Sequence, residues 1–397
     1  MLYRIIAASL ILIPVFCWPG WGEGIRAPKE AVSIISLMAI VIVSLTTYHL
    51  KPFRNKWLLI LMGWCFFTVL IGINVPVYLE KIILQMPPMM IAAKSLFYIT
   101  LSVMSIVFLS SIPLDLNKIS RVINFTVMGL CAYGLLQAVG LDEFFRVAGS
   151  TTGWVAKSIW DSVGSEAGSF SHRIVSTLGN PAILSTFLAI CVPFSLYRLK
   201  DEGKFSLILA LIIIGMTQSF TGILCTAVSS IVYFAFTNRK IARIIIVSII
   251  VIGAISYKAI PTFLNPTGRF EVVKQSWKIL DKKPLTGLGL GSFEHLVGDN
   301  PDIVARLKNQ NWKEAHNEYW QGWFEIGLIG LMLLCMAIGS TLRRFLKKIT
   351  LESVVLMSSF VAILVAGAGY FVLRVGPIAF YIIVIYGLLE NKIGETA

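Results

Sequence analysis

The chain is a succession of long apolar runs separated by short polar loops, and that pattern decides its class. A spanning helix needs ~20 apolar residues. Runs of this kind lie near 4–20, 31–50, 57–75, 89–112, 122–140, 181–198, 205–217, 219–237, 242–260, 316–341, 351–368 and 374–390. They are continuous and lack the alternation that a β-barrel requires. The pattern predicts an all-α polytopic membrane protein with about twelve transmembrane helices in one integral membrane domain over 1–397.

The loops supply an orientation. Lys51, Arg54 and Lys56 fall in one loop, and Lys118 and Arg121 in another. Arg198, Lys200 and Lys204 follow, then Arg239, Lys240 and Arg243, and last Arg343, Arg344, Lys347 and Lys348. With twelve runs these loops share one side, which the positive-inside rule makes the cytoplasm, together with both termini. The other face carries two long loops, 141–180 and 261–315, where functional residues are expected. The stretch 76–88 reads as an interfacial helix.

Composition agrees. The 397 residues are 56% hydrophobic and only 14% charged, against roughly 25% charged in soluble proteins. The net charge of +13 comes from the loop clusters just described, so it reports topology rather than nucleic-acid binding. Cys17, Cys65, Cys131, Cys191, Cys225 and Cys335 all lie in apolar runs without a CxxC pair, which predicts buried free thiols. The opening MLYRIIAASLILIPVFCW resembles a signal peptide but has no small-residue cleavage site after it, so a retained first helix is expected.

The most polar long interval is 267–330. Thr267 is a plausible N-cap for a helix over 268–281, with Phe270, Val273, Trp277 and Leu280 on one face and the helix lying on the membrane surface. Arg269 on its first turn is either an interfacial snorkelling residue or a ligand for phosphate oxygens. The glycines Gly287, Gly289 and Gly291 match neither the P-loop nor the dinucleotide spacing, and a tight turn between two helices is the better reading than a phosphate cradle. His316 opens the next apolar run beside Asn317 and Tyr319, placed either as a proton acceptor or as a belt residue. His295 is a weaker candidate. In the first long loop, Arg173 precedes Asn180-Pro181, a turn and helix start, and Arg374 opens the last run. All these arginines and His316 fall on the same side. No HExxH, CxxC, His–carboxylate cluster or DxD-like pair occurs, so no metal or other cofactor is expected. A transporter is the competing class, but ionisable residues are almost absent from the centres of the runs.

Taken together, Arg269, Trp277, Pro284, Gly287, Gly289, Gly291 and Phe293, followed by His316, Asn317, Tyr319, Glu325, Gly327, Leu328, Gly330 and Leu331, resemble the O-antigen ligase and polymerase superfamily. The upstream RIVSTLGNP is similar to that family's R-x-x-G-T-x-x-N-P region, with Ser176 where glycine is usual. The resemblance implies a glycosyltransferase of type C-like fold in the bacterial inner membrane. Its site would face the periplasm, and it would move a glycan from undecaprenyl diphosphate in a metal-independent, inverting reaction. It implies Arg173 and Arg269 as diphosphate ligands and His316 as the base, with Asn180, Asn317, Tyr319 and Gly289 as weaker substrate contacts. The acceptor would be lipid A–core in a ligase or another lipid-linked glycan in a polymerase, with a protein hydroxyl as a third option. Many members carry Ser-Arg where this chain has Ser219-Phe220, so any donor-site role of that arginine is either lost or supplied elsewhere, with Arg374 as the candidate.

Overall fold

The computed structural model describes residues 1–15, 26–48, 53–73, 88–139, 174–255, 269–298, 300–306 and 312–394. All regular structure among them is helical. The long elements are α1 (Leu2–Val15), α2 (Arg26–Thr47), α3 (Lys56–Ile73), α4 (Pro88–Ser111), α5 (Leu116–Ala138), α6 (Pro181–Tyr197), α7 (Gly203–Thr217), α8 (Phe220–Thr237) and α9 (Arg239–Ile255). Then come α10 (Arg269–Leu280), the short α11 (Pro301–Arg306), α12 (Glu318–Lys347), α13 (Leu351–Gly369) and α14 (Gly376–Gly394).

Among the described residues, each apolar run of the sequence contains a helix. Seven helices are long and apolar enough to cross a membrane by length and composition, and Leu2–Val15, Lys56–Val69, Pro181–Tyr197 and Gly203–Thr217 are shorter apolar helices. Ile244, Val247, Ile250 and Val251 on α9 are exposed, as side chains facing lipid would be. These features are those of an integral membrane protein. The interfacial helix expected at 76–88 lies outside the described residues except for Pro88, as do Thr267, Cys17 and most of the 141–180 loop.

The bundle is organised around α14, the most enclosed of the seven, which packs on α4 and α13. Its Tyr381 is fully buried, meets Phe187 edge-on at 4.6 Å and donates its hydroxyl to the Leu10 carbonyl at 2.7 Å. Helix starts are capped as their sequences predict. Asn180 Oδ1 accepts from the amides of Ala182 and Ile183 before Pro181, and Ser219, Asn317 and Thr350 cap α8, α12 and α13. Several of the basic loops meet at one end. Arg198 pairs with Glu202 and with Asp201 at 2.8 Å and reaches Asn117 at 3.3 Å, while Asn55 bonds Thr341 and Tyr386.

At the opposite end the polar interval builds a small core of its own. Val272, Leu280, Leu288, Phe293, Leu296, Val297 and Phe324 are buried together. Here α10 departs from the face expected of it. Phe270 and Trp277 point outward, but Leu280 belongs to the buried face with Val272, Gln275 and Ser276. The competing force is packing against α12, where the Trp320 indole donates to Ser276 Oγ at 2.9 Å.

The run 316–341 is likewise not one straight helix. It begins at Glu318, breaks at Gly327 (φ 71°, ψ 179°) and continues to Lys347. A broken helix frees backbone groups that must find partners when buried. The glycine loop provides most of them. Leu288 and Gly289 donate to the carbonyls of Phe324 and Glu325 at 2.9 and 3.0 Å. Leu328 and Ile329 donate back to Pro284 and Leu285 at 3.0 and 3.2 Å. The Trp64 indole takes the remaining Ile326 carbonyl at 2.7 Å. Gly287 and Gly327 both have positive φ, and a Cβ on Gly327 would stand 2.2 Å from the Leu285 carbonyl. The turn expected over 284–291 is thus a backbone splint on a broken helix.

Candidate functional site

The site lies where α10, the turn before α12 and the segment joining α13 to α14 converge. His316 does not open the helix. It sits one residue before the cap, with φ 53°, a left-handed backbone. Three aromatic rings surround it, with centroids at 5.1 Å (Trp312), 5.6 Å (Tyr370) and 4.8 Å (Phe371). Its Nδ1 is buried and has no hydrogen-bond partner among the described residues. Burial, and next the nearby Arg269 cation, push its pKa down to about 4, so the imidazole is neutral at pH 7.

Arg269 donates Nη1 to the Gly369 carbonyl at 2.9 Å, at the end of α13, while its buried Nε has no partner among the described residues. Burial lowers its pKa, the mark of a desolvated cation. Asn317 donates to the next carbonyl back, Ala368 O, at 2.9 Å. Tyr319 donates to Leu364 O at 2.6 Å. Three expected site residues therefore grip the last turn of α13, and His316 packs on Tyr370 and Phe371, which follow it.

Arg374 arrives from the other side. Its Nη2 reaches both oxygens of the Glu325 carboxylate, at 2.9 and 3.0 Å, and its Nε is buried without a partner among the described residues. Glu318 Oε1 accepts the Leu373 amide at 2.7 Å and so fixes the short 3-10 turn Val372–Arg374. The turn of Ser219 to Thr221 also lies here, since a Cβ on Gly369 would meet Thr221 Oγ1 at 3.1 Å.

Other expected residues stand differently. Gly289 gives its amide to the Glu325 carbonyl, and Asn180 uses its side-chain oxygen as a helix cap. Arg173 is outside the described residues. Its neighbour Ser176 adopts φ 48°, a left-handed conformation, which accounts for glycine being usual at that point of the motif. Among the described residues no group of three or more His, Cys, Asp or Glu side chains could hold a metal ion.

Sequence reasoning missed the aromatic box of Trp312, Tyr370 and Phe371 and the Glu325–Arg374 pair. It also missed Lys29, whose buried Nζ donates to the Pro14 carbonyl at 2.8 Å and to that of Thr177. A signal for Lys29 existed: it is a lone lysine heading an apolar run on the side where the positive-inside rule disfavours it. For the aromatic box there was none, because Trp312 lies more than fifty residues from Tyr370 and Phe371 and meets them only through the fold.

The structure thus defines an integral membrane protein with a neutral, aromatic-boxed histidine and two part-buried arginines at one end of the bundle. Residues 205–335 match a family model described as O-antigen ligase. The match covers less than half the chain but contains Arg269, the glycine splint and His316, and it supports the O-antigen ligase superfamily that the sequence motifs resemble. No curated protein matched the chain.

Proposed function

We propose that the protein transfers a glycan from undecaprenyl diphosphate to a hydroxyl of lipid A–core on the periplasmic face of the bacterial inner membrane. The observation that carries this reading is His316: a neutral imidazole with an unpartnered Nδ1, beside the Arg269 cation, within a stretch that matches the O-antigen ligase family. The orientation rests on the basic loops, which make their end cytoplasmic and leave the site and the loops 141–180 and 261–315 outside. About twelve crossings in one membrane domain belong to this reading, supported by the seven long apolar helices and the shorter ones beside them.

In this mechanism the acceptor hydroxyl oxygen attacks C1 of the reducing-end sugar from the face opposite the leaving group. The bond from C1 to the phosphate oxygen breaks, the configuration inverts, and the lipid diphosphate departs with the electron pair. The hydroxyl proton passes to His316, a role worth about 10²–10⁴ in rate. Negative charge builds on the departing diphosphate, and Arg269, Arg374 and Arg173 stabilise it at a low-dielectric boundary. Asn317 and Tyr319 act by holding α13 in place.

The test uses purified wild type and His316→Ala with an undecaprenyl-diphosphate-linked glycan, lipid A–core and EDTA, read as a gel shift of the acceptor. Transfer by the wild type and its loss in the variant support the reading. Longer lipid-linked chains with an unshifted acceptor would make the protein a polymerase. Equal transfer by both proteins would remove His316 from the chemistry.

A further inference from the structure

The proposed base and the proposed phosphate ligand Arg374 lie on different segments, yet a continuous buried chain of hydrogen bonds joins them. The Ala315 amide, immediately before His316, donates to Gln321 Oε1 at 3.0 Å. Gln321 Nε2 donates to Glu325 Oε1 at 3.0 Å. Glu325 in turn receives Arg374 Nη2 on both oxygens and the Gly291 amide on Oε2 at 3.0 Å. Ala315, Gln321 and Glu325 are 2%, 1% and 2% exposed, so water does not compete for these bonds. Gln321 and Glu325 stand four residues apart on the first segment of α12, on one face, and the break at Gly327 follows directly.

We propose that Gln321 and Glu325 are positioning residues that set the separation between His316 and Arg374, and so between the proton acceptor and the departing diphosphate. This inference rests on the transferase reading above. The geometry favours a positioning role over a binding role. Glu325 repels a diphosphate and is enclosed, whereas it holds Arg374 by one terminal nitrogen and leaves the buried Nε of that guanidinium for another acceptor. Gln321 offers both ends of its amide to the strut and none to a substrate.

A strut of this kind affects turnover more than affinity, because a guanidinium freed from Glu325 still attracts phosphate but no longer at a fixed place. A displacement of about 1 Å costs on the order of 10²-fold in rate. In the glycan-transfer assay with the full chain, Glu325→Gln is expected to lower kcat at least about tenfold with donor KM changed less than about threefold. In an Arg374→Met background the same substitution should cost less than about twofold, because it acts through Arg374. Gln321→Met should lower kcat about tenfold in the wild type and have no further effect on the residual rate of His316→Ala.

The proposal is overturned if Glu325→Gln leaves kcat unchanged, or lowers it equally with and without Arg374, which would mark a role in the fold alone. Should Glu325→Gln fail to accumulate as folded protein, Gln321→Met decides: an unchanged kcat overturns the proposal, and a loss absorbed by His316→Ala upholds it. An inactive wild type overturns the transferase reading and the strut together. An active wild type with an inactive His316→Ala and a fully active Glu325→Gln overturns the strut alone.

Discussion

Two arginine–glutamate pairs lie at opposite ends of α12, and they are used differently. At the basic end Arg344 faces Glu390 with both terminal nitrogens, Nη1 to Oε2 and Nη2 to Oε1, each at 2.7 Å. Thr341, Tyr386 and Asn55 extend the network around that carboxylate and its neighbours. At the other end Arg374 gives one nitrogen to both oxygens of Glu325, and its Nε faces no partner among the described residues. Both glutamates are almost wholly enclosed. The first pair is a staple between helices, one hydrogen bond from Nη2 backed by a close Nη1 contact. The second is a held donor with bonding capacity in reserve, at the end of the bundle that also holds Arg269 and His316. Fold stability is expected from the first and chemistry from the second.

Arg269 gives the sharpest test of that division. Its guanidinium is held by one carbonyl, and its buried Nε has no partner among the described residues. Arg269→Met should lower kcat about 10²–10³-fold, the range for removing a preorganised charge stabiliser, with little change in the thermal midpoint in detergent. Retained activity would mean that the anion-binding end has been misassigned. Arg344→Met makes the converse case. It leaves Glu390 enclosed without its counter-charge, and breaking a buried pair costs roughly 3–5 kcal/mol. The midpoint should fall while the kcat of the folded fraction stays that of the wild type. A fall in kcat with no fall in midpoint would dissolve the contrast between the two ends.

Much of the fold was legible because hydrophobic run length is a strong local signal, and among the described residues each run contains a helix. His316, Arg269 and Arg374 were legible as chemical types on one side of the chain. Their partners were not. The aromatic box joins residues 312, 316, 370 and 371, and the strut joins 291, 315, 321, 325 and 374. Contacts over such separations are properties of packing, and no periodicity records them. The break at Gly327 was hidden for a different reason, since a glycine inside an apolar run is ordinary in membrane helices. Its left-handed backbone and the approach of the 284–291 loop together make glycine obligatory there.

The pH dependence distinguishes the two ends more gently. With its pKa near 4, lowered first by burial and second by Arg269, His316 should keep kcat/KM level from pH 7 down to about 5 and let it fall as pH approaches 4. Arg269→Met removes the smaller cause, so the acid limb of its residual activity should move upward yet stay below 6.5. The stability consequence has a definite sign. Between pH 6.5 and about 4 the unfolded chain binds a proton at this position and the folded one does not, so acid in that window weakens the fold. In His316→Gln that part of the acid sensitivity should disappear. An acid limb near 6.5 in the wild type would place the imidazole in water rather than in its aromatic box.

The smallest effect is expected at Ser176, at the site end, where opposing contributions nearly cancel. Its φ of 48° costs an L-residue roughly 1–2 kcal/mol. Its hydroxyl donates to the Leu130 carbonyl at 2.8 Å, worth about 1 kcal/mol, and its amide donates to Gln137 Oε1 at 2.7 Å. Ser176→Gly relieves the backbone but loses the hydroxyl bond and gives the unfolded chain about 0.5–1 kcal/mol of extra entropy. Ser176→Ala keeps the strain and loses the same bond. The amide bond to Gln137 survives in both. Thermal midpoints should therefore rank wild type at or just above Ser176→Gly, with Ser176→Ala lowest by a few degrees. If Ser176→Gly melted clearly above the wild type, the left-handed backbone would outweigh the hydroxyl. The serine would then be a cost that this chain tolerates, and the glycine usual in the motif would be the more stable choice here too.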